Sequence, residues 1–266
     1  MKKLISLILA ATMLLVSACA LAEGTFRVGM ECDYPPFNWT QVDENEHSVP
    51  IDSGFGFAGG YDVEIAKKIA EGLGKELVVC KIEWDGLIPA LNRDQIDAVI
   101  AGMSPTAERK LTVAFTDAYY NSDLVIVVRK DGAFAEAASL SDFAGAKVTG
   151  QQNTFHYTVI DQLEGVEKQP AQVDFPAMIT ALSSGAIDGY ISERPGAVSA
   201  CQANADLTFV TPGFVASEED TSVAVAVKQG QPELIEQING ILAGIDADAR
   251  NELMDNAVLT QPVSAE

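Results

Sequence analysis

The stretch LIPALNRDQIDAVI, at residues 87–100, is followed 91 positions later by a similar stretch, MITALSSGAIDGYI, at residues 178–191. Each copy predicts a helix, a turn and a strand, in that order. The two copies therefore indicate two similar α/β halves. We expect Asp97 and Asp188, one in each copy, to pair or cap at the entrance of their strand and to have no ligand role.

Helices and strands alternate outward from both copies. The predicted strands lie at residues 25–32, 76–84, 96–101, 124–129, 147–149, 187–191 and 222–227, and the predicted helices at residues 62–73, 87–92, 156–162, 177–182 and 233–245. We expect Asp62 to cap the first of these helices. The alternation predicts an α/β fold of two lobes, each a mostly parallel sheet flanked by helices. Ligands of such sheets bind outside the carboxyl ends of the strands, in the cleft between the lobes.

The composition is that of an acidic globular chain. Its 266 residues carry 17 Lys and Arg against 38 Asp and Glu, a net charge of −21, and 48% are hydrophobic. The hydrophobic fraction excludes a disordered or collagen-like chain. The negative charge argues against nucleic-acid binding and against polybasic adhesion to a membrane, both of which need a basic surface. Because the chain has only two His, we predict no histidine metal centre, and we predict no cofactor.

The first 22 residues are typical of a secretory leader. A basic start precedes an apolar run at residues 4–16, which is shorter than the ~20 residues that span a bilayer. Two cleavage sites compete. Cys19 ends a lipobox-like Val-Ser-Ala-Cys and would become a lipidated first residue, whereas residues 20–22 form an Ala-x-Ala site for ordinary cleavage. We favour the lipobox, and either site predicts an exported protein, a cell-surface lipoprotein or a periplasmic one.

Three cysteines remain after the leader, Cys32, Cys80 and Cys201, without a CxxC spacing. Their spacing does not decide whether two of them pair. We favour three buried, unpaired thiols.

Residues 54–59 satisfy the GxGxxG pattern of dinucleotide sites. That fingerprint must follow a strand directly and open a helix, whereas a long polar loop separates residues 54–59 from the first strand. We interpret them as a mobile Gly/Phe loop. His156 follows a strand end and could line the cleft, but no motif sets a nucleophile beside it, so we favour a non-catalytic role.

A candidate helix N-cap, Ser104, and a cationic residue, Arg109, follow the strand at residues 96–101. Ser104 is a good N-cap and Pro105 suits the first helical position, which would place free N–H groups and the positive end of a helix dipole at the cleft. Arg109, about one turn further on, can bind a carboxylate through two parallel hydrogen bonds. The pattern indicates a carboxylate receptor. The alternative is a simple cap at Ser104 and a surface ion pair at Arg109.

The other half supplies complementary groups. Thr154 follows the strand at residues 147–149, and Glu193 follows the strand at residues 187–191. Thr154 can donate its hydroxyl and its backbone N–H to the same carboxylate, and Glu193 can accept an ammonium group. A carboxylate receptor on one lobe and an acid on the other match an α-amino acid.

Six stretches resemble, in order, the solute-binding proteins of polar amino-acid ABC importers. They are YPPF at residues 34–37, GYDVEIA at 60–66, WDGLIPAL at 84–91, IDAV at 96–99, MSPTAER at 103–109 and FTDAYY at 115–120. The resemblance implies the type II periplasmic-binding-protein fold, in which two lobes joined by two hinge crossings close on one amino acid. It places lobe I at residues 23–121 and 220–266 and lobe II at residues 122–219.

The resemblance also implies roles for the residues that would bind the α-groups. Arg109 would bind the α-carboxylate, helped by Ser104 and Thr154, and Glu193 would accept the α-ammonium. Some relatives have Ser-Ser where this chain has Ala and Gly102, so only backbone carbonyls remain there for the ammonium.

Three further residues would contact the ligand side chain. Tyr34 and Trp84 would stack on it, and Glu31 stands where relatives that bind basic amino acids carry an acid, which favours a cationic ligand. Two departures leave the specificity open. Asn153 is often Gly in relatives, and residues 41–59 are longer than the family core and could cover the cleft or touch another protein.

The resemblance implies a free amino acid and a membrane ABC permease as partners, and we expect a monomer. A lipid on Cys19 would add membrane anchoring. Two alternatives stay open. One is a dehydratase- or lyase-like enzyme on the same fold, with Glu31 or His156 as its acid or base, and the other is a sensor domain that feeds a kinase or channel.

Overall fold

The computed structural model describes residues 24–262, so the predicted leader and Cys19 lie outside the described residues. The strands, in chain order, are β1 Thr25–Met30, β2 Asp33–Tyr34, β3 Asn38–Gln41, β4 Val49–Pro50, β5 Phe57–Gly59, β6 Glu76–Lys81, β7 Ala98–Val99, β8 Val113–Asn121, β9 Leu124–Arg129, β10 Lys147–Thr149, β11 Glu167–Lys168, β12 Gly189–Glu193, β13 Leu207–Val210 and β14 Ser222–Lys228. The α-helices are α1 Tyr61–Gly72, α2 Trp84–Asn92, α3 Phe155–Thr158, α4 Phe175–Ser183, α5 Arg194–Ala203, α6 Glu218–Thr221, α7 Pro232–Ala243 and α8 Ala247–Thr260. Short 3-10 helices lie at Arg109–Leu111, Leu140–Phe143 and Val159–Gln162. None of the helices within residues 24–262 has the length and apolarity needed to cross a bilayer.

The first sheet has five strands in the order β6-β1-β7-β14-β8. β1 pairs in parallel with β6 and β7, while β14 runs antiparallel to β7 and β8. α1 packs against β6, α2 against β1 and β7, and α7 against β8. We call this sheet and its helices lobe I.

The second sheet repeats the plan, in the order β11-β10-β12-β9-β13. β10 pairs in parallel with β11 and β12, and β9 runs antiparallel to β12 and β13. α4 and α5 pack on this sheet, and we call the unit lobe II. The two sheets confirm the predicted two-lobed α/β fold. Each sheet has two parallel and two antiparallel pairings, where mostly parallel sheets were predicted. The exact residue boundaries of the lobes stay a prediction.

β9 shows why some strands were predicted with their correct bounds. Val125 and Val127 belong to one hydrophobic cluster, while Leu124, Ile126 and Val128 belong to another on the opposite face. A strand covered on both faces is apolar at every position. The continuous apolar run therefore marks β9 from end to end.

The repeated aspartates have equivalent partners in the two lobes. In lobe I, Arg27 Nη2 lies 2.8 Å from Asp97 Oδ1, and the backbone N–H of Arg27 donates to Asp97 Oδ2 at 2.8 Å. In lobe II, Arg129 Nη2 lies 3.1 Å from Asp188 Oδ1, and the backbone N–H of Lys147 donates to Asp188 Oδ2 at 2.9 Å. The predicted structural pairing at the strand entrances is confirmed.

The predicted N-cap at Asp62 is wrong. The residue before α1 is Gly60, and Asp62 lies in the first turn with its side chain directed into the core. Its carboxylate accepts hydrogen bonds from the Tyr119 hydroxyl at 2.7 Å and from Asn38 Nδ2 at 2.8 Å. Burial raises the pKa of Asp62 to about 6, against the opposing effect of these bonds. The Asp62 carboxylate therefore bonds to buried side chains of the core instead of capping the helix.

Many of the predicted elements have different bounds in the structure, and three of them illustrate the kinds of difference. The strand predicted at residues 76–84 ends at Lys81, because Trp84 begins α2 and is buried on the same face as Leu87 and Leu91. The strand predicted at residues 96–101 shrinks to β7, whose ladder with β14 has a single residue pair, Val99 with Ala226. The helix predicted at residues 156–162 divides into α3 and a 3-10 helix.

The stretch at residues 41–59 contributes to a third sheet. Four antiparallel strands pair in the order β2-β3-β5-β4. Gly56 has a φ of 78°, and a Cβ there would lie 2.8 Å from the carbonyl oxygen of Gln41, so only glycine fits this turn. The interpretation of residues 54–59 as a mobile loop is therefore wrong, since the last three of them form β5.

The three described cysteines are separate thiols within residues 24–262. Cys32 is buried, and burial raises its pKa to about 12. Cys80 and Cys201 are half-buried rather than fully buried.

Candidate functional site

A cavity lies between the lobes, at the carboxyl ends of the central strands. All of the predicted ligand-binding residues except Glu31 line it: Tyr34, Trp84, Gly102, Ser104, Arg109, Thr154 and Glu193. Glu31 lies behind Gln151, a cavity residue whose Nε2 donates to Glu31 Oε1 at 2.9 Å. The fold therefore brings together side chains that are up to 159 positions apart, as for Tyr34 and Glu193.

Arg109 presents a cation to the cavity without a carboxylate partner. Its Nη1 donates to the carbonyl of Ser104 at 2.9 Å and its Nη2 to the carbonyl of Asn153 at 3.1 Å, and both acceptors are neutral. The guanidinium lies 4.9 Å from the centre of the Trp84 ring. Burial lowers the pKa of Arg109 to about 10, so the group remains charged at neutral pH. Among residues 24–262 no acid pairs with it, and a desolvated cation of this kind is a receptor for an anion.

The predicted N-cap at Ser104 is wrong. No helix follows it directly, because the chain passes through the 3-10 helix Arg109–Leu111 and enters β8 at Val113. The hydroxyl of Ser104 donates to the carbonyl of Asp220 at 3.1 Å. Its carbonyl holds Arg109, so Ser104 positions the guanidinium rather than offering a helix N-terminus.

Thr154 and Asn153 form the facing loop of lobe II. The Thr154 hydroxyl donates to the carbonyl of Gln151 at 2.7 Å, within the loop. Asn153 has a φ of 54°, a left-handed conformation that glycine adopts more easily. In this conformation the carbonyl of Asn153 accepts from Arg109, and its side-chain amide donates to Asp85.

Glu193 is a buried acid at the end of β12. His156 Nε2 lies 2.9 Å from Glu193 Oε1, and the Tyr34 hydroxyl donates to Oε2. Burial alone would raise the pKa of Glu193, but the charge and hydrogen bond of His156 and the hydrogen bond of Tyr34 hold it below its ordinary value. Glu193 is therefore a carboxylate and not a neutral acid, as a receptor for an ammonium group requires.

His156 lines the cavity, as its position after a strand end suggested. Its Nδ1 is buried and has no hydrogen-bond partner among the described residues. Its bond to Glu193 was not predicted, because no local pattern connects the two positions.

Gly102 lines the cavity beside Tyr34. Its φ is 60°, and a Cβ at this position would lie 3.0 Å from the Tyr34 ring. Only glycine therefore allows the ring and the backbone at residue 102 to approach so closely.

Two aromatic residues of the cavity were not predicted, Phe155 and Phe175. Phe175 stacks on Tyr34 with ring centres 4.0 Å apart and ring planes 14° apart. A local signal for its position exists, since Asp174 caps α4 by accepting from the backbone N–H of Ala177 at 2.7 Å and Pro176 lies in the first turn, directly after Phe175. That signal marks the start of α4 but not the contact with Tyr34.

Glu31 is almost fully buried, at 5% exposure. Burial raises its pKa to about 8, against the opposing hydrogen bond from Gln151, and the nearby Asp174, Asp33 and Glu83 raise it further. The side chain is therefore a neutral acid at pH 7 in this structure. A bound cation would have to lower the pKa of Glu31, so that its proton is released to solvent, before Glu31 acted as a counter-charge.

Glu31 makes stability depend on pH. Its folded pKa of about 8 exceeds the ordinary 4.5, so its contribution to the free energy of unfolding is full below pH 4.5 and is lost as the pH rises through 8. We expect the melting temperature to fall between pH 4.5 and pH 8, where Glu31 is ionised only in the unfolded chain, and to fall less in the Glu31→Gln variant, whose amide oxygen still accepts from Gln151. Thermal melts across this range test the expectation, with the exposed Glu44→Gln as control. An unchanged slope in Glu31→Gln would contradict it.

A family model for bacterial extracellular solute-binding proteins, family 3, matches residues 26–257. The chain is 27% identical over 249 residues to the ABC transporter arginine-binding protein 1 of Escherichia coli, covering 93% of this chain and 95% of that protein. It is 30% identical to the arginine-binding extracellular protein ArtP of Bacillus subtilis, covering 85% of this chain and 82% of that protein. Among solved structures, an amino acid ABC transporter substrate-binding protein from Streptococcus pneumoniae bound to L-arginine is similar with a TM-score of 0.77 and 26% identity, covering 89% of this chain and 95% of that one.

Proposed function

Because the chain belongs to family 3 of the bacterial extracellular solute-binding proteins, we propose that it captures one free amino acid in the cleft and delivers it to the membrane permease of an ABC importer. The observation that carries the proposal is the pairing of opposite charges across the cavity. Arg109 offers a guanidinium without a carboxylate partner, and Glu193 offers a buried carboxylate. These groups complement the α-carboxylate and the α-ammonium of an amino acid.

The lobes supply one charge each, so a ligand that engages both favours the closed arrangement. Arg109 and Trp84 belong to lobe I, and Glu193, His156 and Thr154 belong to lobe II. In this role, Ser104 positions Arg109, Tyr34 hydrogen-bonds Glu193, and the backbone at Gly102 lies beside the ammonium. The permease would distinguish the closed form from the open one.

We further propose that the amino acid is cationic or polar. The E. coli and B. subtilis relatives are named for arginine, and the S. pneumoniae structure holds L-arginine. The aromatic ring of Trp84 suits a cationic side chain, at about 0.5–2 kcal/mol per contact, whereas the ring of Tyr34 is already stacked between Phe37 and Phe175. Glu31 would complete such a site once it is ionised.

We propose that the acids and the histidine of the cavity serve ligand binding rather than catalysis. Glu193 is held by His156 and Tyr34, and Glu31 by Gln151. Each candidate acid or base thus has a partner within the protein.

We propose that the mature protein is an exported monomer, anchored to the membrane by a lipid on Cys19 when the lipobox is used.

A thermal-shift screen with the twenty amino acids, ornithine and citrulline tests the proposal. A ligand that binds only the native state raises the melting temperature by mass action, so we expect a large shift for one or a few cationic or polar amino acids. Recovery of the ligand unchanged after incubation is the second expected result. A silent screen would overturn the amino-acid proposal, and turnover of the ligand would favour the dehydratase- or lyase-like enzyme.

Asp85 bridges the two lobes at the edge of the cleft. Its carboxylate, in the first turn of α2, accepts from Gln152 Nε2 and Asn153 Nδ2 of lobe II, each at 2.8 Å. Since both bonds are exposed, we expect Asp85→Ala to weaken ligand binding by about 1 kcal/mol, or roughly fivefold, chiefly through faster dissociation. Stopped-flow or surface-plasmon measurements check the dissociation rate. The control is Asp161→Ala, whose ion pair with Lys168 stays within lobe II, and equal effects of the two substitutions would contradict the bridge.

A further inference from the structure

A second and larger cavity adjoins the amino-acid cavity. It has a volume of about 720 Å³ and is larger than the amino-acid cavity. Residues of α4 and α5, including Ile179 and Gly196, line it together with Tyr190. Phe175 lines both cavities, so its side chain lies between them.

The ring of Phe175 is fixed in this position from three sides. It stacks on Tyr34 with ring centres 4.0 Å apart. It also packs edge to face with His156 and with Tyr190, with ring centres 6.1 Å and 6.2 Å apart. Only 5% of the residue is exposed. Stacked and edge-to-face contacts of this kind stabilise the position of a ring, and Phe175 therefore forms a wall between the two cavities.

Tyr34 completes the wall on the side of lobe I. A Cβ on Gly196, which lines the larger cavity, would lie 3.1 Å from the Tyr34 ring. The same tyrosine donates its hydroxyl to Glu193 in the amino-acid cavity. The stacked pair Tyr34–Phe175 thus has one cavity on each side.

We propose that Phe175 determines ligand size, because it closes the amino-acid cavity off from the larger cavity and so excludes amino acids with an extended side chain. The inference rests on the proposed function, since it concerns the side chain of the captured amino acid. Removing the ring joins the two spaces. A substituent at the end of the ligand side chain then enters the larger cavity while Arg109 and Glu193 keep the α-groups.

The test compares each amino acid with its benzylated derivative in calorimetry. The pairs are L-lysine with Nε-benzyl-L-lysine, L-arginine with Nω-benzyl-L-arginine, and L-glutamine with Nδ-benzyl-L-glutamine. The measured quantity is the dissociation constant of the benzylated derivative divided by that of the parent amino acid. This ratio is unaffected by any general loss of affinity. We expect Phe175→Ala to lower this ratio by at least about tenfold relative to the unmodified protein, the scale on which a steric misfit discriminates ligands.

Two controls make the result specific to the wall. Phe155→Ala removes an aromatic ring from the amino-acid cavity without opening the larger one, since Phe155 lines only the former of these two, and it should leave the ratio unchanged. In a Phe175→Ala protein, the added Ile179→Trp refills the larger cavity and should restore the ratio. Phe175→Leu keeps an apolar side chain and serves if the alanine variant does not fold, with a smaller decrease expected.

The outcomes separate the two proposals. An unchanged ratio in Phe175→Ala and Phe175→Leu, with the parent amino acid still bound, overturns the role of Phe175 and leaves the proposed function standing. A decrease of the same size in Phe155→Ala also overturns it. If no parent amino acid binds the unmodified protein, the proposed function fails, and the inference fails with it.

Discussion

The Arg109→Ala protein is expected to lose amino-acid affinity by about 2–5 kcal/mol, roughly thirtyfold to several thousandfold. The guanidinium is half-buried, charged, and bonded only to the carbonyls of Ser104 and Asn153. An incoming carboxylate therefore meets a donor with no competing carboxylate. Without Arg109, the carboxylate of the ligand would be desolvated and left without a counter-charge.

Two comparisons separate this effect from a loss of structure. Arg109→Lys keeps the charge but loses the planar fork, so its affinity should lie between those of the alanine variant and the unmodified protein. Arg250→Ala is the matched control, because Arg250 also bonds only to carbonyls, those of Ile245, Ala118 and Leu242, and does not line the cleft.

Calorimetry with the amino acid found by the thermal-shift screen measures all three variants. We expect a large loss of affinity only at Arg109, while melting temperatures show that each variant is folded. An unchanged affinity in Arg109→Ala would show that the carboxylate binds elsewhere.

The fold was predictable from sequence where the pattern was local or repeated. The two copies around Asp97 and Asp188 predicted two α/β lobes because each copy carries its own helix, turn and strand. The role of these aspartates followed from their position, but their partners Arg27 and Arg129 did not, since they come from strands 70 and 59 positions away. Long-range pairing of this kind has no local signature.

Local rules failed where a distant group replaced the expected local partner. Asp62 stands where a cap would be, but Tyr119 and Asn38 provide it with a buried site instead. Ser104 and Pro105 form a good start for a helix, but the Ser104 hydroxyl bonds to the distant carbonyl of Asp220, and only a 3-10 helix forms before β8. In both cases the tertiary structure decided what the residue type alone left open.

The candidate site divides in the same way. Arg109, Glu193 and Tyr34 were predicted from strand ends and from family resemblance, and the fold does bring them to one cavity. Phe175 was not predicted because its importance arises from the stacking of Tyr34 across the two lobes. Their specific assignments as ligand contacts stay predictions until binding is measured.

Glu193 is the second position at which a single substitution should have a large effect. Glu193→Gln removes the charge but leaves an amide oxygen that can still accept a hydrogen bond from His156 or Tyr34. The cost to binding should again be about 2–5 kcal/mol, since the α-ammonium of the ligand would lose a buried counter-charge. Glu193→Asp keeps the charge on a shorter side chain and should retain part of the affinity.

Ligand analogues assign each charge to its partner through a thermodynamic cycle. For L-lysine, 6-aminohexanoic acid lacks the α-amino group and cadaverine lacks the α-carboxylate; for L-arginine, agmatine is the analogue without the carboxylate. If Glu193 accepts the ammonium, Glu193→Gln should bind L-lysine and 6-aminohexanoic acid with nearly equal affinity, while it still prefers L-lysine over cadaverine. Arg109→Ala should show the reverse pattern. A Glu193→Gln protein that discriminates against 6-aminohexanoic acid as strongly as the unmodified protein does would place the ammonium elsewhere, whereas reciprocal patterns in the two variants would fix the orientation of the amino acid between the lobes.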